Sequence, residues 1–496
     1  MKFLVSCVDN GSIKEVICNR GCDTSIVTAP QPLFKKTSLS EGLNNHIEKF
    51  CIVNKNLILA ARSTGVIELL KITQDLPTEE DLKFINSSAI IKDIPTKPIT
   101  QTEKNNEQMN SIPILDDSTK ENLLSLFDIS SFEVLDIVSG LIDHKLLEPL
   151  YAKSKKRTKL LDGFVNLSLL PNCSNMLVAV TKSGMIHFLE IEDNLEKLKI
   201  VNSLNVKAPL EFAQFYDNDI NNDYKDGYIM AYGGEENLVK LIKINKDLGE
   251  LHQIWEAKNI KNDRLDLRVP VWPMALKFLN KSETIDSKAK TSNNGPNLKF
   301  ISITRYSHLL KYDTNHGRKP FECLDLLPDR EPLTQLETCS DSEDFKLTTL
   351  GNINSDDFNN FTIFSTDLKR NIYKFSSLNG RLLGKFGKKD ITGYSTNISI
   401  NNNKYLLQGG MDRYLRVYDI STGKVIVKIY MNSKINSIIM LDDSEIELPL
   451  SKEEEEKLKK TKTKNSTKRK LSPEEDEEDV EDLWKTLDLA NKKKKA

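Results

Sequence analysis

The chain is poor in the residues that chemistry requires and in the runs that membranes require. Its six histidines are scattered through 496 residues. No Gly-x-x-x-x-Gly-Lys loop, Gly-x-Ser-x-Gly elbow or His-Glu-x-x-His pair occurs, so phosphate-cradling, serine-hydrolase and zinc-peptidase readings have no footing. No apolar run approaches the roughly 18 residues that span a bilayer. The N-terminal MKFLVSCVDN meets Asp9 too early for a signal peptide and reads as a strand. Seven cysteines in so long a chain show no spacing framework, and an odd number argues against obligate pairing. Cys18 and Cys22 are the closest pair, with no second pair to complete a metal site. A reducing compartment and no cofactor are expected. Aromatics are sparse at 7%, yet 39% of the residues are hydrophobic, enough for a large core.

What is present is repetition. Seven stretches share one pattern of an apolar run, a polar turn and a second apolar run: Phe3–Ile17, Leu57–Ile72, Met176–Ile191, Tyr228–Ile244, Lys299–Asp313, Phe361–Phe375 and Tyr405–Asp419. Successive starts are never closer than about 44 residues, the length of a four-stranded propeller blade. One such unit cannot bury both faces of its sheet, whereas seven around an axis can. The expected fold is all-β, a seven-bladed WD40-type β-propeller. Inner strands are expected at Ile47–Val53, Gly163–Leu169, Leu210–Phe215, Trp272–Leu279 and Thr396–Ile400, with none evident for the sixth hairpin. The first hairpin starts too early to have one before it. The run Ile435–Leu441 is therefore expected to complete the first blade, so that no sheet edge stays exposed. Deleting everything after Lys434 should then destabilise the whole ring.

These readings assign residues 1–450 to the propeller, 74–126 to a disordered acidic insertion in blade two, and 451–496 to a disordered charged tail. Residues 74–150 carry 6 Lys/Arg against 15 Asp/Glu. The later part of that stretch offers an outer strand at Phe127–Ile137 and a short helix over Val138–Leu150. Tail residues Lys468, Arg469 and Lys470, with Lys492, Lys493, Lys494 and Lys495, form import-like basic clusters. A solubilising tail is the plainer alternative. Between the clusters Val480, Leu483, Trp484 and Leu487 share one helical face, as in a docking helix.

Hairpin turns and blade connections emerge on the same side of a propeller. Their residues include Lys156, Arg157 and Lys159, then Lys258, Lys261, Arg264 and Arg268, and also Arg305 and Arg413. They point to a face that binds phosphate or an acidic partner, with Glu235, Glu236, Asp263 and Asp266 interleaved. The segment Lys258–Arg268 is the expected main docking element. Val269–Pro273 should enter the inner strand of blade five, with Trp272 packed beneath the loop. His316–Lys319 are expected on the opposite face. Gly233–Gly234 and Gly409–Gly410 read as turn glycines at positive φ, Asp9 and Asp412 as turn carboxylates, and His187 as a packed strand residue.

The last hairpin, LLQGGMDRYLRVYDISTGK, resembles a WD40 repeat, with Tyr418–Asp419 in place of Trp-Asp; Lys311–Tyr312–Asp313 is a weaker echo. More specific are SCVDNGSIKEV from Ser6, KRTKLLDGFV from Lys156 and YGGEENLVKL from Tyr232. IWEAKNIKNDRLDLRVPVWPMAL from Ile254, SHLLKYDTNHGRKPF from Ser307 and LLPDREPL from Leu326 follow in order. Together they resemble the fungal nop-seven-associated protein one family, WD-repeat assembly factors of the large ribosomal subunit precursor. The resemblance runs to about residue 450. It implies a nucleolar, non-enzymatic protein that is monomeric in the precursor particle and has no membrane contact. Its implied partners are other assembly factors and precursor rRNA, and an AAA-ATPase releases it. A WD40 adaptor for chromatin or for a ubiquitin-ligase substrate is the competing reading.

Overall fold

The computed structural model describes residues 1–75, 81, 84–85, 127–152, 161–192, 197–217, 227–262, 265–279, 297–340, 351–353, 357–446 and 448. Among them the strands run from β1 (Lys2–Cys7) to β28 (Ile435–Asp442) and form seven antiparallel four-stranded sheets. Six sheets use four consecutive strands. The exception orders β28 beside β1, then β2 (Ser12–Ile17) and β3 (Phe34–Ser38). The last strand is thus the first strand of the first blade, paired antiparallel with β1 from Lys2↔Asp442 to Cys7↔Ile435. The other inner strands are β4 (Ile47–Asn54), β8 (Phe164–Leu169), β12 (Phe212–Phe215), β16 (Pro273–Leu279), β20 (Leu333–Cys339) and β24 (Ser395–Asn401). Each touches the next, and β24 touches β28, so the inner strands close a circle. The sixth inner strand, unseen in the sequence, is Leu333–Cys339.

The second strand of each blade is almost wholly buried because both of its faces pack against neighbouring blades. In Leu57–Arg62, Ile58 and Ala60 join the core shared with blade one, while Leu59 and Ala61 join the core shared with blade three. The same alternation sends Leu177 and Ala179 backward and Val178 and Val180 forward. Successive side chains point to opposite faces of a strand, so each sheet serves two cores. One apolar cluster lies between every pair of neighbouring blades.

Polar side chains lace the inner strands together. Asn436 Nδ2 donates to the Ile47 carbonyl at 3.0 Å, and Phe164 N–H donates to Glu48 at 2.7 Å. Burial pushes the Glu48 carboxyl above its ordinary range, and the Phe164 bond opposes the shift. Lys277 pairs with Glu337 at 3.2 Å. Gln335 Nε2 donates to the Thr396 carbonyl and its Oε1 accepts from Ile398 N–H, both at 2.7 Å. Thr396 Oγ1 donates to the Ile435 carbonyl. A strap from blade six reinforces blades four and five: Ile353 N–H donates to Phe278 O and Asn352 Nδ2 to Phe215 O, each at 2.8 Å.

Three expectations need correction. Gly233, Gly234, Gly409 and Gly410 are not positive-φ turn residues; they end the strands Gly227–Gly234 and Tyr405–Gly410. Their requirement is space. A Cβ at Gly234 would meet Pro209 O at 2.3 Å, and one at Gly409 would meet Ile435 Cγ2 at 2.5 Å. The stretch Val138–Leu150 contains only a 3-10 turn at His144–Leu146 before a short α-helix at Glu148–Ala152. The insertion begins later than residue 74, since Gln74 and Asp75 extend the strand Val66–Asp75. Within it, Ile85 bridges Phe34, Phe84 packs edge-on to Phe34, and Asp81 pairs with Lys36 at 2.7 Å. These contacts cover part of the outer edge of β3. The tail clusters Lys468–Lys470 and Lys492–Lys495, and the helical face at Trp484, lie outside the described residues.

Candidate interaction face

Because neighbouring strands are antiparallel, the turn between strands two and three shares one end of the ring with the connection to the next blade. Buried polar groups fix these loops. Arg416 pairs with Asp412 at 2.8 Å with both side chains buried, and also donates to Asp390 O and Gln408 Oε1. Arg62 pairs with Glu68 at 2.6 Å and donates to the Gly11 and Asn45 carbonyls. Asp367 accepts from Lys369 N–H, Asn371 N–H and the Tyr373 hydroxyl. Asn237 Nδ2 donates to Lys207 O at 2.7 Å. Burial lowers the His187 pKa below its ordinary value, and the ring sits with Nε2 against Leu141 O and Nδ1 against Ser203 Oγ. Desolvation of this kind lowers a histidine pKa.

On this framework, acidic and basic side chains alternate. Arg413 pairs with Asp9 at 3.5 Å, and Asp9 also faces Lys434 at 3.6 Å. A hydrogen bond to Tyr430, and then Asp9, raise the Arg413 pKa above its ordinary value. Arg268 pairs with Glu236 at 3.1 Å. Arg305 stacks on Trp272, 4.4 Å from the ring centroid, and its N–H donates to Trp272 O. Lys369 pairs with Glu331. Lys258 and Lys261 are exposed and have no ion pair among the described residues. Lys156, Arg157, Lys159 and Arg264 lie outside the described residues. Of the residues expected to form the face, the ring thus brings Lys258, Lys261, Arg268 and Arg305 to one connection and sets Arg413 apart, where the chain closes.

The described parts of this connection, 257–262 and 265–272, are held at several points. Asn259 Nδ2 donates to Val269 O at 2.7 Å across its base. Asn262 Nδ2 reaches Asp266 Oδ1 at 2.8 Å, and Asp266 takes a φ of 56°. Glu236 N–H donates to Val271 O at 2.9 Å. Arg318, expected on the opposite face, instead clasps the root of this loop. Its Nε donates to Glu256 O at 2.6 Å, it pairs with the Glu256 carboxylate at 3.2 Å, and its carbonyl accepts from Lys258 N–H. Trp272 and its neighbours line a cavity of about 20 Å³ between blades four and five, room for one water molecule. Leu265 and Leu267, at the tip, are 79% and 59% exposed. They escaped the charge-based reading, although their alternation within a charged stretch was a visible signal.

Among the described residues no group of three or more His, Cys, Asp or Glu is placed to hold a metal ion. Cys18 and Cys22 lie buried in the core between blades one and seven.

No protein-family model matches the chain. Among solved structures it is similar to Saccharomyces cerevisiae Sqt1, at 9% identity and a TM-score of 0.44, covering 82% of this chain and 91% of that one. Among curated proteins it is 46% identical over 490 residues to ribosome biogenesis protein NSA1 of Saccharomyces cerevisiae, covering 98% of this chain and 97% of the relative. It is 49% identical over 451 residues to the protein of the same name from Vanderwaltozyma polyspora, covering 90% of each. Identity at this level along nearly the whole length shows that the chain belongs to the ribosome biogenesis protein NSA1 family.

Proposed function

We propose that the chain is a non-enzymatic ribosome biogenesis factor. It binds precursor large-subunit particles in the nucleolus, serves as a scaffold for rRNA processing and assembly-factor docking, and is released by an AAA-ATPase. The observation that carries this reading is near-full-length identity to relatives named for ribosome biogenesis, on a ring whose loops are locked for display. A rigid ring gains affinity from many short contacts and needs no reacting group. Residues 1–450 act as the docking ring, while residues 451–496 carry the import-like clusters. Lys258 and Lys261 are the leading contact residues of the ring. Arg268, Arg305 and Arg413 contribute after exchanging or keeping their present partners. Exposed pairs such as Arg268–Glu236 contribute at most about 1 kcal/mol, so a partner carboxylate can replace Glu236.

The test is purification of tagged full-length protein from cells at moderate salt, with RNA and protein identified together. Precursor large-subunit rRNA with assembly factors is the expected result. Histones or ubiquitin-ligase subunits without precursor rRNA would refute it and favour an adaptor. A Lys258→Glu, Lys261→Glu variant should co-sediment less with the particles while keeping its melting temperature.

A further inference from the structure

Two loops of blades six and seven lie in a stretch, 357–446, that is described without a break. One is the turn 368–371 inside blade six. The other is the connection 387–394 that carries the chain to blade seven. They leave the adjacent strands Ile372–Ser376 and Leu382–Phe386, where Ile372 pairs with Phe386. Arg370 and Lys388, each two residues beyond that pair, therefore emerge at the same end of the ring, with Lys389 beside them. All three are exposed and make no ion pair among the described residues.

Both loops are fixed in advance. Asp367 accepts from Lys369 N–H and Asn371 N–H, both at 2.9 Å. Asp390 N–H and Ile391 N–H both donate to Gly387 O, at 3.1 and 3.3 Å. The buried Arg416–Asp412 pair carries the whole connection: Arg416 donates to Asp390 O at 2.7 Å, and Thr392 N–H donates to Asp412 at 3.4 Å. Tyr394 stands at its end, with its carbonyl accepting from Met411 N–H at 3.2 Å. The Tyr394 ring is 39% exposed and makes no ring or cation contact among the described residues. The neighbouring tyrosines differ. Tyr414 already carries Arg416 and Lys428, 4.9 and 5.5 Å from its centroid, and Tyr430 leans on Tyr414 at 5.2 Å.

The surrounding carboxylates are engaged. Glu331 is held by Lys369 and Asp390 faces Lys428, while Asp367 and Asp412 are turned into their own loops. Asp329 and Arg330, side by side on the next connection, offset each other. One aliphatic side chain of the two loops is exposed, Leu368 at 40%, which is no apolar core for a protein contact. Unpaired cations beside an open aromatic face suit a single strand instead: the charges track its phosphates and the ring takes a base. Lys389 and Tyr394 are five residues apart, so no more than about 18 Å, within the reach of one oligonucleotide.

We propose that Arg370, Lys388, Lys389 and Tyr394 form a binding site for single-stranded RNA, with the cations on phosphates and one base stacked on Tyr394. The geometry calls for a single-stranded nucleic acid; that it is RNA rests on the scaffold reading above, which the site deepens. Loops held in place before binding lose little freedom when the strand arrives.

The experiment uses purified full-length protein and a fluorescein-labelled RNA of mixed sequence, about 12 nucleotides long, alone and as a duplex. Anisotropy at several salt concentrations gives the affinity of the wild type, of Tyr394→Phe and Tyr394→Ala, and of Arg370→Gln with Lys388→Gln and Lys389→Gln. The single strand should bind the wild type more tightly than the duplex. Tyr394→Phe should bind like the wild type, and Tyr394→Ala at least about fivefold more weakly with an unchanged salt dependence. The triple variant should flatten the slope of log affinity against log salt by about 2. All should melt like the wild type, since no ion pair or ring contact is removed. A duplex bound as tightly as the single strand, a Tyr394→Ala protein that binds like the wild type, or an unchanged slope in the triple variant overturns the proposal. So does an absence of RNA binding with retention on poly-glutamate, which would assign the site to an acidic protein. Failure of the wild type to co-purify precursor rRNA from cells refutes the scaffold reading instead, and Tyr394-dependent RNA binding would survive it.

Discussion

Ring closure can be tested at a single atom. Gly409 lies in the second strand of blade seven, where its missing Cβ leaves room for β28. A methyl group there would sit 2.5 Å from Ile435 Cγ2 and 2.7 Å from Ile438 Cδ1, whereas carbon atoms pack at about 3.5–4.0 Å. Two terms compete in Gly409→Ala. Its φ is one that any residue adopts, so loss of freedom in the unfolded chain favours alanine by about 0.4–1 kcal/mol. Overpacking a closed core costs about 1–3 kcal/mol, and Ile435 is wholly buried. The packing term wins, and the variant should lose about 1–2 kcal/mol by this balance. Ile435→Ala alone opens a cavity costing about 2–5 kcal/mol. In the double variant the new methyl occupies part of that cavity, so the combined loss should fall short of the sum by about 1–3 kcal/mol. Urea unfolding followed by circular dichroism gives all three values. Additivity to within about 0.5 kcal/mol, or a Gly409→Ala protein as stable as the wild type, would refute the claim that this glycine exists to seat β28.

Two further perturbations probe buried groups. Burial lowers the pKa of His187 and of His308 below the ordinary 6.5. The unfolded chain therefore binds more protons than the ring at and below about pH 6.5, and acidification from neutrality costs stability through both histidines. Glu15 and Glu48 act the other way: their raised pKa values mean that the ring takes up protons first as pH falls. The difference between the wild type and a His187→Gln, His308→Gln variant isolates the histidine contribution, and parallel melting-temperature profiles below neutrality would contradict it. The Met1 amine is buried, donating to Cys18 O at 3.0 Å and to Ser444 O. A fusion at the N-terminus should therefore melt lower than the same fusion at the C-terminus; equal melting temperatures would exclude a structural role for that amine.

The hairpins were legible because the second strand of each blade is buried on both faces and so reads as an apolar run. Six of the seven inner strands were also legible, but they stand out less than the hairpins, and the sixth not at all, for a physical reason. One side of each faces the axial channel, and a bulge near its start breaks the two-residue period, as between Leu333 and Gln335 or Ser395 and Asn397. In Leu333–Cys339 the buried residues fall at Leu333, Leu336, Thr338 and Cys339, a spacing that matches no strand template. The WD signature faded for another reason. Fixing a loop requires a buried polar group but no particular one. Asp412 with Arg416, Arg62 with Glu68, and Asn237 with two carbonyls do the same work in different blades. The hairpin can therefore be held in each blade without a Trp-Asp pair.

The interaction face was legible in its charges and illegible in their availability. Arg413 and Lys434 converge on Asp9 only because the ring brings the last loops against the first turn. Arg268 meets Glu236 only because blade four stands beside the connection that leaves it. Neither pairing follows from a count of basic residues in loops, and each removes a cation from the list of contacts that a partner would find waiting. Loop charge therefore overstates the electrostatic attraction of such a face, while the exposed apolar tip goes unnoticed because two leucines weigh little in any composition. On a ring whose loops are fixed by buried polar groups, what remains available is set by geometry. In the described part of the 257–272 connection Lys258 and Lys261 are exposed without an ion pair while Arg268 is held by Glu236, so position in the ring, more than net charge, decides which cations a partner would meet.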